Sequence, residues 1–153
     1  DPVVPWAIQV DLSPEDAALY SSGQWNPRGQ ERPAQLCGDA RKLTWFRDGV
    51  LDFVYSSHLI EDFADWNPLL HEWKRVLKPG GNLIVMLPDK ARWNEAIRKG
   101  QPPNCGHRHE SYPGELTVWL MGIGGFQVLE DRFTDLFPGD YNILMVARKL
   151  IAE

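Results

Sequence analysis

The sequence predicts an α/β domain, a three-layer α/β/α sandwich around a mostly parallel sheet that finishes in an antiparallel strand. Two short apolar runs, Leu51 to Tyr55 and Leu83 to Leu87, are rich in β-favouring residues. Between them lies an amphipathic stretch at helical spacing. That stretch ends in Pro79-Gly80-Gly81, which turns the chain. A strand–helix–strand unit of this kind makes parallel strands and places ligands at their carboxyl ends.

The elements follow in chain order. Ala7 to Val10 reads as a strand closed by Asp11. Ser21 to Pro33 is rich in Gly, Pro, Ser and Asn and reads as a surface loop. Gln35-Leu36-Cys37 is a short strand, with Cys37 a small buried residue, and Gly38-Asp39-Ala40 follows it. Leu51, Phe53, Val54 and Tyr55 suit a strand buried on both faces. Asn67-Pro68 starts a helix, with Asn67 as the cap. Leu69, Leu70, Trp73, Val76 and Leu77 form its apolar face, and Lys74, Arg75 and Lys78 crowd its last turn. Residues 82–87 make the next strand, which Pro88 and Asp89 end before a further helix. Gly100 to Pro113 is irregular. Leu116, Trp119, Leu120 and Ile123 mark a helix ending at Gly124-Gly125. Residues 126–132 and 141–148 form an antiparallel hairpin around Pro138-Gly139-Asp140. The seven tryptophans belong mostly to the core or an interface.

Bulk properties suit one soluble, cytoplasmic domain over residues 1–153. The net charge is −5 and no basic run occurs, which argues against a nucleic-acid surface. Arg41, Lys42 and Arg47 read as solvated surface. No apolar run approaches the length of a membrane span, and no signal peptide is visible. Two cysteines are too few for a disulfide framework. The C-x-H-x-H spacing from Cys105 to His109, with Glu110 beside it, does not match a structural zinc pattern, so no metal is expected.

Taken together, GDARKL at 38–43, WFRDGVLDFVYSSHLIEDF at 45–63 and LLHEWKRVLKPGGNLIVMLPD at 69–89 resemble the middle of a class I S-adenosylmethionine-dependent methyltransferase. RVLKPGG followed by an apolar strand is the most distinctive part. The resemblance reaches back through Ala7 to Asp11 and covers roughly residues 6 to 89. It implies a Rossmann-like fold and S-adenosylmethionine as cofactor. One feature departs from the family. No G-x-G loop precedes Asp11, and such a loop lets backbone approach the cofactor. The expectation is that the first strand and its glycines lie upstream of residue 1. In this chain alone a gap one strand wide would separate strands 7–10 and 51–55. An upstream segment, or a second copy of the chain in a homodimer, would fill it.

The resemblance also assigns roles. Asp11 would accept hydrogen bonds from the ribose hydroxyls. Gly38, Asp39 and Ala40 would meet the adenine, against the plainer reading of a Gly-Asp turn. Ser56 and Ser57 would lie beside the methionine part. His58 can take a proton from the acceptor, since imidazole titrates near neutrality; the plainer reading is a histidine bonded into a loop. Glu61 and Asp62 read as helix-entry or rim residues. His107 and His109 fall where relatives often insert a substrate lid, and Trp93 would line an acceptor pocket. The function implied is methyl transfer to a small-molecule or sugar-like acceptor. The alternative is a non-catalytic, methyltransferase-like binding module that has lost the cofactor loop. A nucleotide-dependent oxidoreductase is disfavoured by RVLKPGG and by the lack of a phosphate-binding loop.

Overall fold

The computed structural model describes residues 7–8, 10–11, 36–109, 111–136 and 138–151. The loop read at Ser21 to Pro33, with Trp6 and Trp25, lies outside them. The chain divides into two compact units, Asp1–Trp45 and Phe46–Glu153.

In the first unit, β1 (Val10–Asp11) pairs in parallel with β2 (Leu36–Cys37), Val10 opposite Leu36 and Asp11 opposite Cys37. Cys37 is exposed, not buried as the sequence suggested. Alternation along a strand sends it to the face opposite Leu36. Among the described residues of this unit, Leu43 is buried.

The second unit is built on a four-stranded sheet of order β3-β4-β6-β5. Its strands are β3 (Leu51–Ser57), β4 (Leu77–Pro88), β5 (Phe126–Phe133) and β6 (Asn142–Lys149). β3 and β4 are parallel, while β6 runs antiparallel to both β4 and β5. The final strand is therefore inserted between β4 and β5. Leu83, Val85 and Leu87 alternate into the core from β4 and stand opposite Ala147, Met145 and Ile143 of β6, all buried. Such cross-strand apolar pairs are the unit of sheet stability. β3 is only half covered, with Ser56 its buried residue.

Among the described residues three α-helices complete the unit: α1 (Asn67–Val76), α2 (Lys90–Arg98) and α3 (Glu115–Ile123). α1 lies against β4 and α3. Its face Leu69, Leu70, Trp73 and Val76 is buried. Burial on this scale contributes roughly 1.5–3 kcal/mol per large side chain. Both ends of α1 differ from the sequence expectation. The N-cap is Trp66, and Asn67 sits inside the first turn with its amide donating to Asp65 Oδ1 at 3.0 Å. The helix stops at Val76, because Pro79 disfavours helix at residue 78 and has no N–H to offer the Arg75 carbonyl. Gly49 and Val50 amides serve the Arg75 and Val76 carbonyls instead, each at 2.9 Å. Lys78 accordingly lies in β4, paired with Asp52 at 2.6 Å. Pro79-Gly80-Gly81 is a bulge within β4 rather than a turn before it, since Leu51 pairs with Leu77 but Phe53 pairs with Asn82. Gly80 has φ +80°, which favours glycine.

Residues 101–109 form no helix or strand, as expected. Among the described residues no helix is long and apolar enough to cross a membrane.

Candidate active site

The parallel strands β3 and β4 end together. Ser56 and Ser57 close β3, and Pro88 closes β4. His58, the next residue, has φ +51°, the left-handed region that costs a non-glycine residue about 1 kcal/mol. Its N–H donates to the Met86 carbonyl on β4 at 2.9 Å, which holds this backbone in place. Strain held by surrounding structure is characteristic of functional positions.

A 3₁₀ turn, Ile60–Asp62, follows. Glu61 is not a rim residue. It is fully buried, with Oε1 3.2 Å from His58 Nδ1 and 3.7 Å from His107 Nε2. Its backbone carbonyl accepts from the Arg108 and His109 amides at 2.8 and 3.0 Å, so the irregular 101–109 segment docks on it. Burial, then the Glu61 charge, pushes the Asp62 carboxyl above the ordinary range, against the pull of His107, His58 and Arg108.

Rings enclose the same place. Trp93, on α2, contacts His107 at 5.5 Å and meets Tyr141 edge-on at 4.9 Å between centroids. Tyr141 lies edge-on to His58 at 6.1 Å. Burial raises the Tyr141 phenol, with the Asp140 and Glu61 charges adding, so it remains an O–H donor at neutral pH. Asp140 fixes the turn that presents Tyr141. It accepts from Thr134 Oγ1, Leu136 N, Asn142 N and Asn142 Nδ2. Burial alone would raise its carboxyl, but these bonds outweigh that and hold it low. α2 is aimed by Asp89, its N-cap, whose Oδ1 accepts from Arg92 N at 2.9 Å.

The structure thus brings together His58, His107 and Trp93 from the sequence expectation, and adds Glu61 and Tyr141. His109 points elsewhere. Its Nε2 contacts Glu115 Oε1 at 2.6 Å and its ring lies 4.3 Å from Trp66, so it anchors the segment against α3. The i, i+3 spacing of His58 and Glu61 was the available signal for the pair. Tyr141 carried none beyond its place after a turn.

In the first unit, Asp11 ends β1 and its side chain lies outside the described residues. Asp39 follows the parallel neighbour β2, so both carboxylates belong to strand carboxyl ends. Asp39 accepts from Arg41 Nε and Nη2 in a fork, the latter at 2.7 Å, and this lowers its carboxyl. At Gly38 a Cβ would lie 2.3 Å from Trp45 Cη2, so the indole occupies the space of a side chain. Ala40 enters the turn after Asp39.

Comparison with known proteins gives the family. The profile of a family described as a methyltransferase domain matches residues 6–85. The chain belongs to this methyltransferase domain family. Curated relatives include demethylmenaquinone methyltransferases. That of Mycolicibacterium gilvum is 38% identical over 69 residues, covering 45% of this chain and 30% of the relative. That of Mycobacterium marinum is 35% identical over 69 residues, covering 45% and 29%. The chain spans about 30% of the length of these relatives. Among solved structures, a SAM-dependent methyltransferase from Methanosarcina mazei aligns over 94% of this chain and 81% of its own, with a TM-score of 0.62 and 20% identity. One from Aquifex aeolicus aligns over 92% and 67%, with a TM-score of 0.64 and 20% identity. The fold is the Rossmann-like α/β class expected from the sequence. The methyltransferase domain implies S-adenosylmethionine as cofactor. The residues fit it at Ser56, whose Oγ is buried without a hydrogen-bond partner among the described residues, near the end of β3. A buried hydroxyl in that state calls for a polar ligand group.

Proposed function

We propose that the protein moves a methyl group from S-adenosylmethionine to a small, ring-bearing acceptor through an oxygen or nitrogen, with His58 receiving the proton. The observation that supports this is the cluster of His58, His107, Trp93 and Tyr141 at the carboxyl ends of β3 and β4. Its ring faces and edges suit a flat aromatic or sugar-like acceptor. The relatives' name, demethylmenaquinone methyltransferase, supports a small-molecule acceptor. Asp11 and Asp39 remain the proposed ribose and adenine residues, and Ser56 and Ser57 those for the methionine part. The bound cofactor supplies an electrophilic methyl carbon and keeps the C–S electron pair as it leaves. The chain's residues then position the acceptor, exclude water and take the proton.

A second reading, a methyltransferase-like binding module, is favoured by the Asp39–Arg41 fork and by Trp45 filling the space at Gly38. Calorimetric titration of the full-length protein with S-adenosylmethionine and S-adenosylhomocysteine separates the two. Saturable binding of both supports the enzyme. A folded protein that binds neither leaves the module as the better reading.

A further inference from the structure

Glu61 has both carboxylate oxygens buried, with no hydrogen-bond donor in bonding geometry among the described residues. Buried oxygens in that state call for a donor. His58 Nδ1 is its nearest basic atom, at 3.2 Å, against 3.7 Å for His107 Nε2. At 3.2 Å the pair lies within hydrogen-bond distance. Glu61 itself cannot drift, since its carbonyl holds two amides of the 101–109 segment. His58 cannot drift either, since its backbone is tied to Met86.

We infer that Glu61 is a positioning residue for His58. Its carboxylate accepts Nδ1–H, which fixes the tautomer of the neutral ring and leaves the Nε2 lone pair for the acceptor. Glu61 side-chain exposure is 1%, whereas the His58 side chain keeps 29%. The carboxylate therefore stands behind the ring, and the ring meets what enters. When the acceptor gives up its proton, an Nε2–H bond forms and the imidazolium faces the Glu61 charge, which stabilises it. The proton then passes to water from the exposed edge of the ring. This inference rests on the proposed role of His58 and extends it to the residue that orients it.

Nitrogen-15 NMR of the full-length protein with labelled histidine tests the inference, at a pH where the rings are neutral and with no methyl donor or acceptor present. The signals to be separated are those of four histidines, and His58→Gln identifies the relevant pair. The wild-type ring should show a protonated Nδ1 and an unprotonated Nε2. Glu61→Leu should reverse that preference, while the His109 amide keeps its shift because it binds a backbone carbonyl. Glu61→Gln, nearly isosteric, should lower the Nδ1–H population in case the leucine variant does not fold. A wild-type ring protonated on Nε2, or one tautomer common to wild type and a folded Glu61 variant, overturns the inference. No methyl transfer enters this measurement. Full methyl transfer by His58→Gln would instead overturn the proposed role of His58 and leave the pairing intact.

Discussion

Lys149 Nζ, at the end of β6, donates to the carbonyls of Lys74 and Leu77, each at 2.7 Å. The last carbonyls of a helix have no partner inside it, so a cation from the sheet satisfies them and meets the negative end of the dipole. Lys149→Met should lower stability by about 2 kcal/mol, the scale for bonds to a charged donor. Chemical denaturation at neutral pH would show it. An unchanged midpoint would mean that water serves these carbonyls equally well.

Asp62 makes a pH prediction. Its carboxyl is raised above 3.8, first by burial and then by the Glu61 charge. The folded protein therefore holds this proton where the unfolded chain has released it. Stability from this group falls as pH rises from 3.8 through the folded value, and the loss persists above it. Asp62→Asn should gain on the order of 1 kcal/mol at neutral pH and nothing below the ordinary carboxylate range. Urea titrations at both pH values would decide. An equal gain at both would point to packing rather than charge.

Asp89 caps α2 and is buried, with 3% exposure. Asp89→Ala should cost about 1 kcal/mol, the usual value of an N-cap. It should also loosen Trp93, one turn into the helix. Tryptophan fluorescence in parallel with thermal melts would separate a cap effect from a general one.

Trp93 touches both His107 and Tyr141. Trp93→Ala should expose the 101–109 segment to protease several-fold faster at unchanged fold, because local opening responds to lost contacts before global unfolding does. Limited proteolysis with mass mapping reads the cut sites. Cleavage confined to other segments would count against this contact as the clasp.

The strands and α1 were legible in the sequence because their signals are local. Leu83, Val85 and Leu87 alternate, and Leu69, Leu70, Trp73 and Val76 recur at helical spacing. The end of α1 was misplaced because Leu77 extends the apolar pattern, while the Pro79 effect acts on residues before it. His58, His107 and Trp93 were legible as chemistry-bearing residues, His58 just after a strand, Trp93 in the helix after β4 and His107 in an irregular segment. Glu61 was not. A charged residue at a helix entry ordinarily faces water, and its burial here comes from a segment more than 40 residues further on in sequence. Tyr141 was hidden likewise, since only the return of β6 beside β4 brings it to His58.

Arg108 and His109 dock on Glu61 through main-chain amides, which every residue but proline possesses. This main-chain contact is thus indifferent to the side chains at 108 and 109, whereas the His109–Glu115 and Trp93–His107 contacts are not. Segments of matched length that keep His107 and His109 can vary elsewhere in composition between α2 and α3 without the scaffold being rebuilt.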